Sequence, residues 1–425
     1  MIKNYQITDK ELLGTNAFVR WGKTLIIFGL LFRNLLIKLI LFLLSYIVLK
    51  DEKTLFFSSV GNYNFPIWRN EEDFQFKENP KYLAIYSAKK LKEYRTVFHV
   101  PNTKLFGKIR DLGIEPTRGL AAFWYMLRAK YLFVDNNNFF NPNASFLIGN
   151  FKIVQCWHGT PLKNMGEDKK YNLSWLEKVK KVERPKFDCA LSSCLHSTTV
   201  YKKLFGNGSV DILELGYPRN DILFDRGFFG TEDVVKTLSL DKFSRTLLYA
   251  PTFRRLDKAV NPFDNSFLTK INEALKQNNY VLLVKQHPYA GSINFGEDYS
   301  NIADISAKTD DIQELFVNID VLITDYSACI FDFSLTEKLQ LLYPFDMEEY
   351  RKDRGDFYFD YCQENLPGLI ISDKDGFIQK IEQLELLIED KSTKDRIREF
   401  KNRFNTYTDG NSCERLFQYL KLGDM

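Results

Sequence analysis

Four histidines occur in this 425-residue chain, and two of them stand in the same kind of place. His158 lies in "KIVQCWHGTPLK", after an apolar run and ahead of Gly-Thr-Pro. His287 lies in "YVLLVKQHP", after another apolar run and directly before a proline. Histidine changes its proton near neutral pH, which makes it the natural general base. A short apolar run cut off by a turn reads as a buried strand, and the residue at its end faces the mouth of the sheet. One histidine so placed is most simply a partner for a backbone carbonyl. Two in equivalent positions point to shared chemistry. His99 and His196 lack that context and are read as structural.

Other strand ends carry groups suited to anions. In "VLITDYSACIFDF", Asp325, Tyr326 and Ser327 follow an apolar run and precede a helical one. Ser327 can act near the helix cap, and the free N–H groups of the next turn can hold a phosphate. Asp332, five residues on, could reach a ligand hydroxyl. Pro251 and Thr252 follow "LLYA", and "GYPRND" puts Arg219 on a turn. Arginine grips phosphate with two parallel hydrogen bonds. The simpler readings are a capped helix with a buried acid and a surface ion pair. The chain has no G-x-G-x-x-G and no Walker motif. Its six cysteines form no C-x-x-C pair and no zinc spacing with histidine, which suits a reducing compartment. No cofactor is indicated, and no carboxylate cluster demands a metal, although Mg²⁺ is compatible with the chemistry.

These groups need strands to carry them and helices to cover the sheets. After residue 50, apolar runs alternate with helical spacing: "TLFFSSV", "RTVFHV", "YLFVD", "KIVQCW", "DCALSS" and "VDILELG", then "TLLYAP", "YVLLVKQ", "VLITDYS" and "LQLLYPF". Such alternation means parallel sheets with helices on both faces. The length supports two or three domains. The expected division is a helical segment at 1–50, a Rossmann-like domain at 51–230, a second at 240–395 and terminal helices at 396–425. "TEDVVKTLSLDKFS" is the expected linker. Ligands of such sheets sit beyond the carboxyl ends of the strands. His158, Thr252, His287 and Ser327 would then face one cleft.

Residues 24–49, "TLIIFGLLFRNLLIKLILFLLSYIVL", are the most apolar stretch. Arg33 and Lys38 interrupt them, so no uncharged run reaches the roughly 18 residues of a clear span. Polar residues fall on one helical stripe, as in a helix lying at the membrane interface. Spanning or packing on the protein itself are the other readings. The net charge of +3 gives no reason to expect nucleic acid as a partner. Residues 77–130, however, hold twelve Lys/Arg against four Asp/Glu. Such a basic face attracts anions, an anionic membrane surface among them.

In order, "WHGTPLK", "GYPRND", "YAPTFR", "KQHP", "TDYSACIFDF" and "YPFDMEEY" resemble the CDP-glycerol glycerophosphotransferase family of teichoic acid synthesis, over about residues 50 to 400. The resemblance implies a GT-B-like α/β fold, two doubly wound Rossmann-like domains facing a cleft. It implies peripheral association with the cytoplasmic face of the cell membrane. It also implies transfer of glycerol phosphate from a CDP-glycerol donor to a lipid-linked polyprenyl-phosphate acceptor or polymer, with release of CMP. By the same resemblance, His158 and His287 are the essential histidines, with His158 as the base. Gly159, Thr160, Pro161 and Leu162 belong to the first histidine's motif. Arg219, Pro251, Thr252, Lys285, Gln286, Ser327, Ala328 and Asp332 match donor-side positions. Ala328 stands where the family usually has a second serine. The lysine-rich stretch 162–186 could guide a phosphate-bearing acceptor. Rival readings are a CDP-ribitol or other polyol-phosphate transferase, a UDP-sugar transferase of the same fold, and a non-catalytic membrane-bound binding protein.

Overall fold

The computed structural model describes residues 32, 36, 39, 51–59, 76–135, 151–164, 187–205, 210–230, 237–252, 254, 262–286, 299–308 and 311–422. The linker's first half, most of stretch 162–186, His287 and nearly all of segment 1–50 lie outside these. Phe32, Leu36 and Leu39 are helical and exposed. Among the described residues no helix is long and apolar enough to cross a membrane.

Two parallel sheets form, as the alternation predicts. The first has seven strands in the order β3-β2-β1-β4-β5-β6-β7. These are Thr54–Ser58, Arg95–His99, Glu115–Thr117, Tyr131–Val134, Lys152–Gln155, Cys189–Ser192 and Asp211–Glu214, numbered β1 to β7 along the chain. The second has six, in the order β10-β9-β8-β11-β12-β13. They are Arg245–Ala250, Tyr280–Val284, Ile302–Asp304, Val321–Thr324, Leu339–Leu342 and Leu369–Ile370, numbered β8 to β13. The central strands are buried on both faces, which is why they read as unbroken apolar runs. The short strands β3, β10 and β13 gave no such run and went unseen in the sequence.

Each sheet reverses its winding once. In the first, β1 and β4 are neighbours; in the second, β8 and β11. A crevice opens at such a reversal. In the first sheet it lies between Ser59 and Asp135, whose side chains meet at 2.5 Å. In the second it lies between Thr252 and Asp325.

The domains are joined by buried charge and by the end of the chain. Lys81, on helix Glu78–Lys90, reaches Asp311 at 2.7 Å and Glu314 at 2.6 Å in the second domain, and Tyr82 donates to Asp311. Lys81 thus belongs to the interior and not to the basic face. Helix Lys391–Phe404 packs Phe400 and Phe404 against Phe331 of the second domain. Helix Ser412–Tyr419 then returns to the first domain and buries Cys413, Leu416 and Phe417 in its core. Asp221 accepts hydrogen bonds from the backbone N–H groups of Ser412 and Cys413.

Candidate active site

The loop after β5 is fixed at nearly every position. Gln155 accepts a hydrogen bond from the Trp157 N–H at 3.0 Å. Buried Asn79 donates to the carbonyls of Cys156 and Trp157. These bonds hold Trp157 at φ 50°, an uncommon conformation for a bulky residue. Gly159 has φ 115°, and a Cβ there would strike the Arg219 guanidinium, so only glycine fits. Tyr201 donates its hydroxyl to the Gly159 carbonyl at 2.5 Å. Thr160 bonds Ser193 at 2.7 Å. Leu162 is buried among second-domain side chains that include Tyr326 and Phe331.

His158 projects from this platform into the cleft. Its ring stacks on Trp157 at 4.4 Å, and its Nδ1 lies 3.3 Å from the Asp135 carbonyl oxygen. A carbonyl only accepts, so Nδ1 carries the hydrogen and Nε2 keeps its lone pair. Nε2 has no hydrogen-bond partner among the described residues. The ring is open to solvent, yet desolvation by the protein around it lowers its pKa. Glu78 and the Asp135 carbonyl oppose that shift, and Arg219 adds to it. The balance favours the neutral imidazole, whose Nε2 lone pair is the basic site.

His196, read as structural, has a defined task. Its Nε2 donates to the Pro161 carbonyl at 2.9 Å, and its ring meets Tyr358, Phe359 and Phe404 edge-on. It therefore clamps the end of the His158 loop to the second domain. His196→Phe should keep the aromatic packing and lose the bond. The expected result is about a 10-fold lower kcat with little change in Tm, since a neutral hydrogen bond contributes about 0.5–1.5 kcal/mol. An unchanged kcat would show that the loop holds its position without the clamp.

The facing wall is built on β8 and β11. Asp325 is fully buried and accepts from the N–H groups of Thr252 and Tyr326. Arg254 bridges Asp325 at 2.9 Å and Asp346 at 2.7 Å, and its guanidinium lies over the rings of Tyr326 and Tyr350. Desolvation opposes the Arg254 charge, but the two carboxylates outweigh it and raise its pKa. Ser327 and Ala328 are half-buried at the mouth, and Ser327 Oγ accepts weakly from the Cys329 N–H at 3.4 Å. The helix that follows, Cys329–Phe333, has only five residues. Thr252 Oγ1 is buried and has no hydrogen-bond partner among the described residues.

The other expected site residues are placed differently. Gln286 is buried and turned away, donating to Asp304 on β10. The Lys285 N–H bonds the Tyr249 carbonyl. Arg219 is not on an open turn but in a buried 3-10 helix, Pro218–Leu223. Its two terminal nitrogens go to Glu78 and to Asp332 across the domain boundary. Asp332 also accepts from Asn220 at 2.9 Å and Gln313 at 3.1 Å. Both groups that sequence reasoning offered to a ligand are thus occupied by each other. That reasoning missed Glu78, Asn79, Asp135, Tyr201 and Arg254. Two of them had a signal: Arg254 closes the quoted "YAPTFR", and Asp135 closes the strand run "YLFVD".

A family model described as CDP-Glycerol:Poly(glycerophosphate) glycerophosphotransferase matches residues 41–422. The chain is 28% identical to a teichoic acid glycerol-phosphate transferase of Staphylococcus aureus, over 85% of this chain and 94% of the relative. It is 28% identical to a teichoic acid poly(glycerol phosphate) polymerase of Bacillus spizizenii, over 92% and 98%. The match to the corresponding Staphylococcus epidermidis polymerase spans 49% of that protein's length, at 27% identity over 85% of this chain. Among solved structures, the wall teichoic acid polymerase TagF soaked with CDPG superposes with a TM-score of 0.68. It is 26% identical, over 88% of this chain and 89% of that one. The fold is GT-B-like, as the resemblance implied.

Proposed function

We propose that this chain, which belongs to the CDP-glycerol:poly(glycerophosphate) glycerophosphotransferase family, transfers glycerol phosphate from CDP-glycerol to a hydroxyl of a lipid-linked teichoic acid or related polymer precursor. The observation that carries the reading is His158, with Nδ1 on the Asp135 carbonyl and Nε2 left for a substrate. In this mechanism Nε2 takes the proton of the acceptor hydroxyl. The oxygen attacks the donor's β-phosphorus, a new phosphodiester bond forms, and the bond to the bridging oxygen breaks. CMP leaves, and His287 is the group assigned to meet its charge. Ser327 and the backbone N–H groups after it are assigned to the phosphate oxygens. Such chemistry rests on positioning and charge as much as on the base.

Arg219 and Asp332 take another part here. They join the domains beneath the His158 loop, and either could touch the donor directly only if their pair opened. A lipid-borne acceptor would place the reaction at the cytoplasmic membrane face, with segment 1–50 and the basic run 77–130 as contacts. The test is incubation of the purified chain with CDP-glycerol and a lipid-linked disaccharide, followed by CMP assay and product mass, with CDP-ribitol in parallel. CMP release that requires the acceptor, with glycerol phosphate added to it, is the expected result. Preference for CDP-ribitol would change the polyol. No CMP from either donor would refute the reading.

A further inference from the structure

Six consecutive residues, His158 to Lys163, follow Cys156 and Trp157 in the loop after β5, and the structure leaves two of their side chains available. Gly159 has none, Thr160 is bonded to Ser193, and Pro161 and Leu162 are buried. The two that remain are His158 and Lys163. Lys163 is the only one of the six with a basic amine, and its Nζ makes no hydrogen bond or ion pair among the described residues.

Its position is set by the backbone around it. Lys163 forms an antiparallel bridge with Phe357 of the second domain. The Tyr358 N–H donates to the Leu162 carbonyl, and the Asn164 N–H to the Asp356 carbonyl. The Lys163 Nζ lies 5.3 Å from the centre of the Tyr350 ring. That ring is stacked on Tyr326 at 4.1 Å, next in sequence to Ser327. A first-domain cation is thereby held against the second domain beside the turn that follows β11. The neighbouring Arg254 is saturated by Asp325 and Asp346, and Asp325 by Arg254 and two backbone N–H groups. Lys163 is the charge left over.

We propose that Lys163 is the first domain's cationic contact to the phosphates of the nucleotide donor. Desolvation lowers its pKa to about 8; Arg254 and Arg354 add to that shift, and Asp325 partly offsets it. A half-buried ammonium that has an aromatic face beside it but no hydrogen-bonded anion is a group that an arriving phosphate would pair. The contact would also join donor binding to docking of the two domains, because Lys163 sits on the strand bridge between them.

The inference rests on the donor reading above, and the test separates the two. Calorimetry on the full chain would compare CDP-glycerol, CDP, CMP and cytidine for wild type, Lys163→Met and Lys163→Arg. Lys163→Met keeps the apolar stem and removes the charge. It should weaken CDP-glycerol and CDP by about ten- to hundredfold and leave cytidine nearly unchanged. Lys163→Arg should recover most of the loss. Equal affinity for CDP-glycerol in wild type and Lys163→Met would overturn the proposal. So would a uniform loss for all four ligands with a lowered Tm, which marks a structural lysine. Failure of wild type to bind any cytidine nucleotide would remove the donor reading itself, and this inference with it.

Discussion

Replacing His158 by alanine is expected to lower acceptor-dependent CMP release by about 10²- to 10⁴-fold, the usual cost of removing a general base. Donor affinity and Tm should stay near wild type, because the loop does not depend on this side chain. Asn79, Tyr201, Ser193 and His196 hold the loop through other atoms. The variant loses one long hydrogen bond to the Asp135 carbonyl and the stacking on Trp157, whose backbone Gln155 and Asn79 hold independently. The wild-type pH profile makes a second check. A base works unprotonated, so the rate falls as pH drops through the folded pKa. Desolvation moves the His158 pKa below the ordinary 6.5. The acid limb of kcat/KM should therefore lie below pH 6.5 and disappear in the variant. Near wild-type CMP release by His158→Ala would remove His158 from the mechanism. A limb above 6.5 would assign the titration to another group.

What could be read from the sequence follows from what a side chain's surroundings depend on. Strand ends were legible because burial on both faces turns a parallel strand into an apolar run, and the run stops where the chain meets the cleft. That located His158, Thr252 and Ser327. It could not tell which polar side chain at a strand end turns outward. Gln286 directly precedes His287, yet its amide faces Asp304, because an edge strand that left no apolar run in the sequence supplies a partner there. Arg219 and Asp332 are 113 residues apart, and Lys81 and Asp311 are 230 apart. Such pairs exist only once two domains have docked, and no local pattern announces them. A lone arginine on a turn and a lone aspartate on a helix then both read as ligand groups. Glu78 and Trp157 are harder still, since their positive φ values are imposed by contacts from other elements and not by their residue types.

Arg219→Met is expected to cost about 3–5 kcal/mol of stability, seen as a marked fall in the urea midpoint or Tm. Desolvation opposes the Arg219 charge, yet Asp332 and Glu78 together outweigh it, and its pKa stands above the ordinary arginine value. Removing the guanidinium leaves Asp332 buried with only the amides of Asn220 and Gln313 as donors. It also removes the group that packs against Gly159, so the His158 loop should loosen and activity should fall with stability. The domains should still dock, because Lys81 keeps its two carboxylates and Leu162 its apolar site. Asp332→Leu alone should be costly too, since it strands Arg219 with Glu78 only. The double variant Arg219→Met with Asp332→Leu should then be less destabilised than the sum of the two singles, by about 1–3 kcal/mol, because neither charge is left without its partner. Strict additivity would mean that the two do not interact in solution. If instead Asp332→Asn leaves stability intact but abolishes CDP-glycerol binding, the carboxylate serves the donor directly, and the pair in this structure is the form that opens when donor arrives.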